Sequence, residues 1–517
     1  MPIEVKITDS ELHEALTFIE AEGYAYYFPE PFELAGIRHS WDTIRPVLAR
    51  INLLNYDMKP ALDLIAPKQK YAVRPIRLPD PIDVILFTSL CLRLAPSIEA
   101  ARAPRELRRV HSFRYERKSL GSPTFSSDWN GWVEAIRTRV KSHPFVAKAD
   151  IVDFFPRIYL HRLHNALTAA TGRELEVRAL LRFLEIWSHG TSYGIPIGPK
   201  ICSILAESLL SEVDDYLTSR TLDFIRYVDD FVFFGKSPSD CLRSLYTLGE
   251  RLEETQGLSL NMAKTKVMKT EELLGHFEDP KDTNVAMRKN IIDRIFGGDP
   301  YGEINYEDLD EERKALLDSV NAKELLERAL AGDLVDFPMV GFVLNMLASL
   351  RRPEHVELIL DNLDRLLPVS HAVARFLSVF EAVDSANRVE IGARVLNYIR
   401  TTEFVPDYQV VWLLQPFTNS ASWDGLADLR IIAREHRNRY VRRQAIIAIG
   451  LLGDRSALLD LKSSLNNAKD WEWRAIVLAC KGLPKDEREA FWSKLRKSSS
   501  WEVENLTERA TIEYARS

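Results

Sequence analysis

Runs of aromatic and β-branched residues flank Val228-Asp229-Asp230 on both sides, in Phe224-Ile-Arg-Tyr227 and Phe231-Val-Phe-Phe-Gly235. That pattern predicts a tight hairpin of two buried strands with adjacent carboxylates at its tip. A second apolar strand, Phe145-Val-Ala-Lys-Ala149, is expected to deliver Asp150 near its end, with Asp153 and Phe154-Phe155 close behind and Pro156 limiting further pairing. Upstream the period changes. Apolar positions at helical spacing in residues 12–19 and 41–48 predict a helical segment over residues 1–65, interrupted by Tyr24, Tyr26 and Tyr27 in a loop next to Pro29 and Pro31. Residues 68–79 read as an extended basic segment with Lys68, Lys70, Arg74 and Arg77, followed by an apolar helix over about residues 82–94. Beyond about residue 290 the chain turns to apolar helices with short loops. Residues 441–454 and 472–480 share Arg443/Arg474 and Ala448/Ala479 at an offset of 31, which predicts HEAT-like helix pairs stacked in a solenoid.

At 517 residues, 46% hydrophobic and 28% charged, the chain has the length for two or more domains and a globular composition. The opening Met1-Pro-Ile-Glu-Val-Lys6 lacks a basic flank ahead of an apolar core, and the apolar runs near residues 84–92 and 337–350 are shorter than a bilayer span. A cytoplasmic protein with no membrane partner is expected. Cys91, Cys202, Cys241 and Cys480 are scattered without a Cys-x-x-Cys pair, against both a zinc site and a disulfide framework. The net charge of −7 argues against a nucleic-acid partner until its distribution is considered. Residues 68–148 hold 16 Lys and Arg against 7 Asp and Glu, a local +9 that leaves −16 for the rest. Local basic surface is what attracts phosphates. Arg105, Arg108, Arg109, Arg114, Arg117 and Lys118, interleaved with Phe113 and Tyr115, would suit single-stranded nucleic acid.

Asp229 and Asp230 admit two readings. Asp is common in turns and tolerates unusual backbone angles, so ordinary turn residues are one. Two carboxylates beside a buried sheet repel each other unless a cation sits between them, so a divalent-metal site is the other. Tyr227-Val-Asp-Asp230 resembles the third palm motif of reverse transcriptases, and Asp150, Asp153 and the aromatic pair after them resemble the first. Ser192-Tyr-Gly-Ile-Pro-Ile-Gly-Pro-Lys-Ile-Cys-Ser203 resembles the second, with Ile197 where most members have Gln and without the usual Ser-Pro after the second glycine. Residues 258–266, with Lys264 at the recurring Lys-Thr, resemble the following motif, and Leu273-Leu-Gly-His276 resembles the strand that grips a primer. The similarity spans roughly residues 65–280. The expected architecture is α+β, with a helical segment over 1–65, reverse-transcriptase-like fingers and palm over 66–290, and an all-α HEAT-like domain over 291–517.

Palm, Ile197 departure and helical C-terminal half together resemble the abortive-infection reverse transcriptases of bacterial phage defence. Retrons and group II intron maturases share the palm but usually keep the Gln and carry a different C-terminus. The resemblance implies a nucleotidyltransferase of RNA-directed DNA polymerase type that adds dNTPs by a two-metal mechanism. Asp150, Asp229, Asp230 and the carbonyl of Ile151 would hold Mg2+, with Mn2+ as an alternative. Arg74, Arg77, Asp153, Phe155 and Lys264 would contact the nucleotide, Phe155 excluding a 2′-hydroxyl by its bulk and Lys264 lying near the leaving pyrophosphate. Loss of the Gln implies synthesis without a template, primed on a tyrosine of the protein, for which Tyr24, Tyr26 and Tyr27 are the candidates. The product would be single-stranded DNA attached to the protein, and the protein a homo-oligomer in the bacterial cytoplasm. Two alternatives stand beside this reading: a templated polymerase of retron or group II type, and an inactive polymerase fold acting as a binding module.

Overall fold

The computed structural model describes residues 3–24, 26–68, 72–117, 123–275, 309–381, 385–498 and 501–517. Three helices open the chain: α1 (Asp9–Glu22), α2 (Glu33–His39) and α3 (Trp41–Leu48). A capping box starts α1, the Thr8 hydroxyl accepting from the Glu11 N–H while the Glu11 carboxylate accepts from the Thr8 N–H. The hairpin of β1 (Leu62–Lys68) and β2 (Ala72–Leu78) follows, so the boundary expected at residue 65 falls inside a strand. Next comes α4 (Pro81–Ala100), capped by Asp80, whose side chain accepts from the Ile82 N–H, with Pro81 in the first turn. The apolar run expected to be too short for a bilayer is thus a 20-residue helix with a mean hydropathy of 1.5 over its most apolar window. Of that window 83% is buried inside the protein, so its apolar surface is used up by the core.

The remaining elements of the first half are β3 (Arg114–Arg117), β4 (Pro123–Ser126), α5 (Trp129–Arg139), β5 (Phe145–Asp150), α6 (Phe154–Arg157), α7 (Leu160–Thr171), α8 (Glu174–Trp187), α9 (Cys202–Ser219), β6 (Phe224–Tyr227), β7 (Asp230–Gly235), α10 (Pro238–Gln256), β8 (Lys266–Lys269) and α11 (Thr270–Gly275). Strands β6-β7-β5-β8, in that order, make one antiparallel sheet. Side chains alternate between its faces. Phe224, Phe231, Phe233, Ala147 and Ala149 enter the main core, each phenylalanine contributing about 1.5–3 kcal/mol by burial. Val146, Ile225, Val232, Phe234 and Met268 point the other way, into a smaller cluster closed by Trp132 and Ile136 of α5. This alternation forces Asp150 and Asp230, which pair directly, onto the second face.

From Glu311 onward the regular elements among the described residues are all helices. Helices Arg439–Leu452 and Asp470–Ala479 pack closely; a Cβ on Gly450 would meet the Ala479 Cα at 2.5 Å. Their equivalent arginines are both buried and both reach the first half of the chain. Arg443 pairs with Glu33 of α2 at 2.6 Å, and Arg474 pairs with Asp80 at 2.5 Å and Glu508 at 2.9 Å. Burial alone would raise the Asp80 carboxyl, but Arg474 and Lys59 hold it down at about 2. The repeat face that carries these arginines is therefore covered by the chain's own N-terminal half. The boundary expected at residue 290 lies outside the described residues.

Candidate active site

The last pair of β6 and β7 is Tyr227 with Asp230, which leaves Val228 and Asp229 as a two-residue turn. Val228 sits at φ +56°, a conformation that costs a β-branched residue roughly 1–3 kcal/mol. Both of its backbone groups are held. Its N–H donates to the Ser112 hydroxyl at 2.9 Å, and its carbonyl accepts from Arg226 at 2.8 Å. Ser112 in turn donates to Glu207 at 2.6 Å; Glu207 also takes Arg102 at 2.6 Å and lies 3.0 Å from Arg226, which forks onto Asp214 at 2.9 and 2.5 Å. All five side chains are buried. Sequence reading passed over this cradle. Its only trace was an arginine inside an apolar strand and a glutamate inside the apolar α9, charges that could be buried only in pairs.

Asp150, Asp229 and Asp230 line one pocket of about 310 Å³ together with Ile151, Asp153, Phe155, Ile197, Lys68, Arg74 and Lys264. Lys264 Nζ lies 3.0 Å from Asp150 Oδ1, and the Asn261 amide donates to Asp150 Oδ2 at 3.0 Å. Although burial pushes the Lys264 ammonium down, its bond to Asp150 holds it above its ordinary value. Lys148 approaches Asp230 at 3.4 Å, and Lys68 meets Asp153 at 2.7 Å, lowering that carboxyl. Burial, then the neighbouring Asp150, pushes Asp229 up to about 6; burial raises Asp230 too, against the pull of Lys148. Among the described residues no three acidic, His or Cys side chains are already gathered to ligating distance. Lysines hold two of the carboxylates, and the third lacks enough positive charge to stay ionised easily. That donor chemistry fits a divalent cation.

Removing the Ser112 hydroxyl tests the cradle. Ser112→Ala leaves the Val228 N–H and one Glu207 oxygen without their partner, an expected stability loss of about 1–2 kcal/mol by urea unfolding. Ser112→Thr, which keeps the hydroxyl, is expected to lose less stability than the alanine variant.

Other expected residues are placed as follows. Arg74 lines the pocket and donates to the Tyr27 hydroxyl at 2.8 Å. Arg77 is outside the lining and faces Asp63 at 3.6 Å, which His189 also approaches at 2.7 Å. Tyr24 is not in a free loop: it is buried and donates to the Pro79 carbonyl. Tyr26 is 56% exposed. The basic stretch is largely consumed internally: Arg114 is buried on the Ala103 carbonyl, Arg117 meets Glu14, Arg105 meets Glu116, and Arg109 donates to the Leu222 carbonyl. Lys70, Lys118 and His276 lie outside the described residues.

No curated protein matches the chain by sequence. Similar solved structures include apo telomerase from Candida tropicalis truncated from its C-terminal domain, at 14% identity and TM-score 0.31, over 44% of this chain and 52% of that one. Telomerase from Candida albicans in complex with a TWJ fragment of telomeric RNA matches at 14% identity and TM-score 0.31, over 75% and 68%. Apo telomerase from Candida tropicalis matches at 12% identity and TM-score 0.33, over 69% and 68%. The chain thus spans about half the length of the first of these. Residues 73–277 match the family described as reverse transcriptase (RNA-dependent DNA polymerase), and over those residues the chain carries a reverse transcriptase domain.

Proposed function

We propose that the protein is a template-independent DNA polymerase of phage defence, in the bacterial cytoplasm, that primes on one of its own tyrosines and keeps its single-stranded product attached. The observation that carries this reading is the meeting of Asp150, Asp229 and Asp230 in one pocket with apolar Ile197, while Arg74 on the same wall holds Tyr27. Mg2+ or Mn2+, held by the three aspartates and the Ile151 carbonyl, would supply charge neutralisation for in-line displacement. Within the chain, Lys264 stands beside Asp150 where it can neutralise a pyrophosphate, Lys68 and Arg74 face the same space for the other phosphates, and Phe155 offers the bulk that excludes a 2′-hydroxyl. An aliphatic Ile197 offers no hydrogen bond to orient a templating base. Of the candidate primers, Tyr27 is favoured by its bond to a pocket residue and Tyr26 by its exposure, while Tyr24 is disfavoured by burial. Self-association belongs to the reading through the helical half, which exposes Val389, Phe404, Ile431 and Leu451.

Incubation with labelled dNTPs and divalent metal, without template or primer, followed by digestion and mass spectrometry, tests the proposal. Expected is a nucleotide-bearing peptide containing Tyr26 and Tyr27, lost in Tyr27→Phe or, if Tyr26 primes, in Tyr26→Phe. Synthesis that needs an added template, or DNA that is never attached, favours a templated polymerase. No incorporation under any condition favours a binding module.

A further inference from the structure

The sheet face that carries Asp150 and Asp230 continues through its register to Tyr227, the direct partner of Asp230 at the end of β6. Next to Tyr227 stands Trp129, the first residue of α5 and 50% exposed. Its ring lies 4.8 Å from that of Trp132 and 5.2 Å from that of Tyr227, the second contact at 90°. Trp132, only 2% exposed, fills the core position on α5, and the cluster beneath is closed without Trp129. Packing therefore does not account for the outer half of this indole. Two lysines stand farther across the same sheet face: Lys148, 3.4 Å from Asp230, and its cross-strand partner Lys266, 3.5 Å from Glu272 and 48% exposed on its side chain, ammoniums for which a phosphate can compete with those carboxylates.

We propose that Trp129 and Tyr227 form a stacking platform for the terminal bases of single-stranded DNA, with Lys148 and Lys266 toward its phosphates. The identity of the strand rests on the polymerase reading above. Tyr227 is two residues from Asp229, so bases resting there end beside the carboxylates. An aromatic face accepts every base, because each has a π-surface, and this suits a site that extends a strand without reading a sequence. The two rings meet at right angles, and half of the Trp129 side chain remains exposed to receive a base.

The test is fluorescence anisotropy with fluorescein-labelled dT12 in EDTA, so that neither metal nor catalysis enters the measurement. Trp129→Ala is expected to bind about tenfold more weakly than wild type, and Trp129→Phe within about threefold of it, with all three melting together. Equal affinity of Trp129→Ala and wild type overturns the platform, as does equal weakening by the Ala and Phe variants or failure of wild type to bind dT12. Incorporation of labelled dNTPs is scored on the same preparations. A wild type that binds dT12 through Trp129 yet incorporates nothing overturns the polymerase reading and leaves the platform standing as a single-strand binding surface.

Discussion

Asp229→Asn is expected to abolish nucleotide incorporation, by about a thousandfold or more, while making the metal-free protein more stable. The first effect follows from losing a carboxylate whose charge is needed to neutralise a triphosphate, worth several kcal/mol in the transition state. The second follows from linkage. The Asp229 carboxyl, pushed up to about 6 by burial and then by Asp150, binds its proton more tightly folded than unfolded. Its contribution to stability is therefore present below about pH 4, declines as pH rises through 6, and is a penalty above it. Neutral Asn removes that penalty. At pH 7.5 in EDTA the variant should gain about 1–2 kcal/mol, a value discounted from the full shift because the site is partly open to water; at pH 4 the gain should vanish. Adding Mg2+ should raise the melting temperature of wild type and not of the variant. An active Asp229→Asn protein would falsify the metal-site proposal.

Arg474→Ala should be the more damaging change to the fold. It leaves buried Asp80 and half-buried Glu508 with Lys59 as their remaining cation, at an expected cost of about 3–5 kcal/mol by thermal or urea unfolding. Asp83, already raised to about 7 by burial and then by Asp80, sits in the same cluster and leaves little capacity for a further unpaired charge. Since Asp80 is held at about 2 in the native protein, the stability it brings is present above about pH 4 and lost as pH falls through 2. The difference between Arg474→Ala and wild type should accordingly shrink between pH 6 and pH 3. A difference that stays constant across that range would assign the loss to packing of the arginine stem.

What could be read in the sequence follows physical range. The hairpin and the strand ending at Asp150 were legible because a run of apolar residues broken by adjacent acids is a local signal. The Arg443/Arg474 phase was legible too, but not its purpose, because Glu33 and Asp80 stand about four hundred positions away. Charge counting overestimated the basic surface, since it cannot see that Arg102 and Arg114 are buried with their acceptors. The tyrosine loop misled for a related reason: prolines nearby suggested a detached segment, yet Tyr24 turns inward onto Pro79. Ser112 carried no pattern at all. Its importance comes only from where Val228 is placed.

Because Arg443 and Arg474 recur at one phase of a helical array yet end on Glu33 and Asp80, the repeat unit here is interlocked with a specific acceptor surface. Exchanging residues after 309 for those of a related protein would bring in arginines, or their absence, against acids that stay behind. Chimaeras joined near that point should fold only when Glu33 and Asp80 travel with Arg443 and Arg474, as Glu508 already does, so the two halves are expected to diversify in step.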